Sequence, residues 1–169
     1  MRMSDLFGAM VLGVAMIGVS AAQEAKPASP ATQSAEKDAG NAQQYSGMYT
    51  FLKEGEFVQV TVEDDGIVTG FISRYGDGET DKDTFLDQFF KSGKIDGNKL
   101  SFTTKIVHSV WFEFAGAVER GDGKNPGDEG YFVLKGRLTE NVTDAKKKVT
   151  SKAQDVVFRM IPGDSGEKK

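Results

Sequence analysis

Cysteine is absent from this chain, and disulfides, a lipid-modified cysteine, thiol chemistry and Cys-ligated metal are excluded with it. A fold without staples has to be held by packing. Histidine and tryptophan occur once each, as His108 and Trp111. His108 stands beside Ser109 between two candidate strands, with no nucleophile signature anywhere to make a catalytic pair, so the sequence is read as a non-enzyme. A solvent-exposed histidine in a turn or at a rim is the plainer reading, with haem ligation the other. An excess of basic residues is lacking too. The formal net charge is -4, and nucleic acid is not expected as a partner.

Long apolar runs are scarce. The single one, Leu6 to Val19, is broken by Gly8, Gly13 and Gly18, and it falls short of the roughly 18 to 20 residues that a spanning helix needs. Arg2 ahead of it and Ser20, Ala21 and Ala22 behind it make 1–22 a secretory signal peptide, so a secreted or periplasmic protein with no transmembrane span is expected. Removing the leader leaves the charge unchanged, because Arg2 and Asp5 cancel.

What is present is alternation. Residues 23–44 are mostly Ala, Gln, Lys, Glu, Ser and Pro with no larger aliphatic, a composition that predicts a disordered linker. From Tyr45 apolar residues fall on every second position, as in strands with one buried face. Val58, Val60 and Val62 share a face in Glu56 to Glu63; Leu100, Phe102, Thr104 and Ile106 share one in Lys99 to Val107. Met48 to Leu52, Ile67 to Tyr75, Val110 to Glu119, Tyr131 to Thr139 and Asp155 to Ile161 complete the clear set. Asp64-Asp65-Gly66 and Asp96-Gly97-Asn98 supply the positive φ of tight hairpins. Gly70 in mid-strand marks a bend or a close contact. Thr84 to Ile95 is ambiguous, since Phe85, Leu86, Phe89 and Phe90 recur at helical spacing; a short helical or irregular start followed by a strand is expected. The sum is an all-β domain over 45–162 with a disordered tail at 163–169. Eight antiparallel strands in sequence order close best as an up-and-down barrel, because closure removes two exposed edges; a two-sheet sandwich is the alternative.

Ser46-Gly47-Met48-Tyr49, then Gly55, Phe57 and Val58, then Asp65-Gly66-Ile67-Val68-Thr69-Gly70 resemble the opening hairpins of avidin-like barrels. They are also similar to lipocalins, whose first strand begins Gly-x-Trp, with Tyr49 here in the Trp place. The resemblance to these calycin-type secreted domains implies a cup for a small ligand. Biotin is not implied: avidins surround it with several tryptophans where this chain has Trp111 alone, and Phe51 stands where they carry a polar contact.

The remaining candidates are weaker. Asp77, Glu79, Asp81 and Asp83 alternate as calcium ligands would, but the sixth position is Lys82 and the twelfth Gln88, so the EF-hand pattern fails and no metal is expected. Lys146, Lys147, Lys148 and Lys152 make a basic patch, read as edge protection or as a contact to anionic lipid or polysaccharide. Asn141-Val142-Thr143 matches the glycosylation triplet. Phe102, Phe112, Phe114, Phe132 and Phe158 fall on the apolar faces and predict a filled interior, whereas Tyr49, Tyr75 and Trp111 suit a rim where an amphipathic ring meets ligand and water. The expected function is an extracytoplasmic module binding a small apolar ligand through Tyr49, Phe51, Tyr75 and Trp111, without a cofactor. A structural or protein-interaction domain of the envelope, with a packed, ligand-free barrel, is the alternative.

Overall fold

The computed structural model describes residues 42–162 except 80 and 83; the expected leader, most of the linker and the tail lie outside the described residues. Eight strands follow one another as β1 (Gly47–Thr50), β2 (Phe57–Val62), β3 (Val68–Tyr75), β4 (Phe85–Asp96), β5 (Lys99–Thr104), β6 (Val110–Arg120), β7 (Phe132–Thr143) and β8 (Val149–Arg159). All neighbours pair antiparallel in chain order. The curled meander closes where Tyr49 bridges Met160, the Ile161 N–H donates to the Met48 carbonyl at 2.8 Å, and the Arg159 N–H donates to Thr50 Oγ1 at 2.9 Å. The architecture is the up-and-down barrel, not the sandwich. β1 spans only four residues and β8 eleven, so the seam is short and β6 to β8 project beyond it.

The turns form where the sequence provides positive φ. Asp65 and Gly66 take φ of 60° and 72° between β2 and β3, and Gly97 takes 59° between β4 and β5. His108 and Ser109 join β5 to β6 with φ of 49° and 68°, a two-residue turn built without glycine. Gly70, with φ of 149°, lies where a Cβ would run into the Gln59 carbonyl oxygen of β2.

β4 differs from its expected start. It is extended from Phe85 onward, because Phe85, Asp87 and Phe89 face outward opposite Tyr75, Ser73 and Phe71 of β3 while Gln88 points inward. The helical spacing of its phenylalanines is accidental: some serve the outer face, others the inner. A register shift between Phe90 and Ser92 then turns the strand toward β5. β8 begins at Val149, six residues before the expected start, since its first half is exposed and carries no apolar alternation. At the N-terminal end Ala42 is buried in the core and Gln43–Tyr45 forms a 3₁₀ turn, so packing reaches into the last residues of the expected linker.

The interior is filled by a relay of rings. Phe90 stacks on Phe102 at 4.2 Å between centroids, Phe102 on Phe114 at 5.4 Å, Phe114 meets Phe158 at 6.0 Å, and Phe158 meets Phe51 at 5.1 Å. Phe51 ends edge-on against Phe112 at 5.4 Å. Gly116 sits opposite Gly136 on the inner wall, where a Cβ at 116 would strike the Phe114 ring. Each buried ring contributes about 2 to 3 kcal/mol by area, as an upper figure.

Candidate functional site

The connections β1–β2, β3–β4, β5–β6 and β7–β8 all lie at one end of the barrel, and that end is polar inside. The reason is a break in the apolar phase: Val68, Ile72 and Arg74 share the inner face of β3, and Gln88 holds an inner position of β4 beside them. Arg74 is 3 % exposed and Gln88 is 0 % exposed, so both have to be satisfied by the protein. Arg74 Nε donates to Gln88 Oε1 at 3.2 Å, and Nη1 donates to the Tyr75 carbonyl and to Asp77 Oδ2, each at 3.1 Å. The guanidinium carbon lies 5.5 Å from the centroid of Phe112, the ring at which the aromatic relay ends. Gln88 Nε2 donates to the carbonyls of Lys105 and Val110 at 2.8 and 2.7 Å, tying the β5–β6 turn to β4.

The neighbouring acceptors are already engaged. Glu56, also buried, accepts the backbone N–H groups of Lys53 and Tyr75 at 3.0 Å each. Asp77 lies between two cations, Lys53 Nζ and Arg74 Nη1, at 3.1 Å from each. The hydrogen bond to Asp77 holds the Lys53 ammonium above its ordinary pKa. Thr104 Oγ1 accepts the Phe112 N–H at 2.9 Å. Across the end of the barrel Asp81 accepts the Gly78 N–H at 2.7 Å and stands 2.5 Å from His108 Nδ1, joining the β3–β4 and β5–β6 loops. That contact to His108, more than any other, holds the Asp81 carboxyl below the usual range.

The four expected ligand contacts divide between two surfaces. Phe51 is on the inner wall at the polar end. Tyr49 is wholly buried at the seam rather than at a rim, its hydroxyl donating to the Tyr45 carbonyl at 2.6 Å, and burial pushes its pKa up. Tyr75 faces outward against Phe85, 4.5 Å between ring centroids. Trp111 also faces outward, opposite Asn141, with Nε1 donating to Glu113 at 3.3 Å. Sequence reasoning missed Arg74, Gln88, Glu56 and Thr104, although a charged residue in phase with Val68 and Ile72 was the available signal.

Other candidates are placed as well. Asp77 pairs with Lys53 and Arg74, Asp81 contacts the His108 ring, Asp83 lies outside the described residues, and no cluster of three metal-ligating side chains occurs among the described residues. Asn141 is buried in mid-strand and accepts the Ser151 hydroxyl at 2.6 Å, so the glycosylation triplet is not displayed. Lys146 and Lys148 N–H groups both donate to Asp144 Oδ1, which builds the β7–β8 turn at the polar end. A separate groove of 390 Å³ runs over the outer face of β4 to β7, lined by Ser92, Lys94, Ser101, Thr103, Glu113 and Arg137 among others. Among the described residues no helix is long and apolar enough to cross a membrane.

The fold has solved counterparts. The chain superposes on rhizavidin with a TM-score of 0.55 at 12% identity, covering 80% of this chain and 96% of that one. Intact afifavidin in its apo form gives 0.54 at 12% identity, with 79% and 93% covered. A rhizavidin–biotin complex gives 0.52 at 10% identity, with 73% and 98% covered. At these identities the likeness establishes the fold, an avidin-like eight-stranded barrel. No family model matches the sequence, and no curated protein matches it.

Proposed function

We propose that this protein is a binding module and not an enzyme: an extracytoplasmic avidin-like barrel that holds a small, largely apolar molecule at its polar end. One observation carries the reading. A buried, pre-oriented Arg74 and Gln88 pair lies where the aromatic relay reaches the loops, and precisely positioned polar groups beside apolar walls are what small-molecule sites are made of. Solved structures of the same fold include biotin complexes of rhizavidin and of a short afifavidin, which supports a ligand at a barrel of this shape without naming it here. Because the interior is filled by Phe102, Phe114 and Phe158, with Phe51 and Phe112 buried beside them, the ligand rests at the mouth and does not descend the axis. Tyr75 and Trp111 meet it only if it spreads over the rim. The signal-like leader supports export of the domain.

A second reading is favoured by the outer surface. Phe57, Phe71 and Phe89 form a chain of rings across β2, β3 and β4, at 5.8 and 5.5 Å, and Phe89 is 54% exposed. A packed barrel with such a face suits a protein-interaction domain of the envelope. Native mass spectrometry of protein purified from its own host separates the two. A co-purifying small molecule supports the binding module; a bare chain mass, with flat calorimetry against hydrophobic compounds, leaves the interaction domain.

A further inference from the structure

Among the described residues of the polar end, one edge of the buried Arg74 side chain has no partner. We infer that the ligand presents an sp² oxygen, of a carboxylate or a carbonyl, to Nη2 of Arg74; this rests on the reading of the polar end as the ligand site. A guanidinium has five N–H donors and no acceptor. Nε is taken by Gln88, and Nη1 by the Tyr75 carbonyl and Asp77. Nη2 has no acceptor among the described residues, yet it is not sealed from solvent, since Asn141 Nδ2 is the one fully buried side-chain polar atom there without a partner.

The neighbouring acceptors among the described residues are turned to other donors. Both Glu56 oxygens take backbone N–H groups, Asp77 is shared with Lys53, and Thr104 Oγ1 accepts from Phe112. Gln88 cannot turn to help, because its amide nitrogen is fixed by two carbonyls. The network therefore orients the guanidinium over the buried Phe112 ring and leaves Nη2 for a guest. Pre-orientation matters here: the ordering cost of the arginine is met on folding and not on binding. A hydrogen bond to a charged donor strengthens binding by about tenfold or more over a guest that lacks the acceptor.

The test is calorimetry of the full chain with three probes that share one apolar body: 4-phenylbutyrate, 4-phenylbutyramide and butylbenzene. The acid and the amide are expected to bind at least about tenfold tighter than butylbenzene, and Arg74→Gln is expected to abolish that difference. Repeating the titrations at low and high salt separates the two oxygen sources: the acid is expected to weaken as salt screens its charge and the amide to stay unchanged. Equal affinity for all three probes overturns the inference and leaves the wider reading standing. Binding of none overturns it too, while the native mass measurement still decides that reading independently. Should Arg74→Gln fail to fold, an acid affinity in the parent chain that is insensitive to salt, together with equal binding of amide and butylbenzene, is the contradicting result.

Discussion

At the residue scale the polar end makes sharp demands. Gln88 is the pivot: replacing it with the near-isosteric Leu strands the Lys105 carbonyl and Arg74 Nε together, and leaves the Val110 carbonyl with the Val107 N–H alone. With about 1 to 3 kcal/mol for each buried group left unpaired, Gln88→Leu is expected to destabilise by at least about 2 kcal/mol in a denaturant melt; a loss below half of that would mean water replaces the amide freely. Asp81 sets an acid limit. Its pKa is held below the ordinary 3.8, so its contribution is present above that value and disappears as pH falls through the lower folded one. Acid melts of Asp81→Asn are expected to depend less on pH below about 4 than those of the parent chain; identical slopes would show that the His108 contact stabilises nothing. These residues were hard to read in advance for a simple reason. Alternation marks which positions are buried, but a lone arginine or glutamine in an apolar phase looks like an exception until the partner strand is known, and Arg74 and Gln88 lie 14 residues apart.

At the element scale, strands with one clean apolar face were legible, and β4 was not. Val58, Val60 and Val62 needed only a period of two, whereas β4 carries phenylalanine on both faces and changes partner at its bulge. The β5–β6 turn was placed at His108 and Ser109 by the gap between its strands, although its left-handed backbone carries no Asn-Gly signature. Glycines divide by what surrounds them. Gly97 has open space around it, so Gly97→Ala is expected to cost only about 1 kcal/mol from its positive φ. Gly70→Ala meets the β2 backbone and is expected to lower the melting temperature several times as much. Comparable melting shifts for the two variants would contradict the close approach of β2 and β3.

At the scale of the whole molecule, closure was inferred from edge economy, and the seam bears it out with few bonds: one bridge, one backbone donor and one threonine hydroxyl. Closure therefore depends on the ring relay that spans the interior. Phe158 lies midway between Phe114 and Phe51, and Phe158→Ala is expected to cost about 3 to 5 kcal/mol and to speed amide exchange at the seam before the β6–β7 ladder. Exchange that accelerates uniformly would mean the seam is no weaker than the rest. The likeness of the first hairpins to avidin-like barrels covered about thirty residues, and 80% of the chain superposes on that fold; the polar end follows from this chain's own side chains. The most direct measurement is an amide NMR titration of the full chain with a panel of small hydrophobic carboxylates and amides. Shifts are expected to gather at Phe51 to Glu56, Arg74 to Asp77, Gln88 and Lys105 to Val110. Shifts gathered instead at Asp64 to Gly66 and Gly97, along the outer groove at Ser101 and Glu113, or nowhere, would contradict a ligand seat at the polar end.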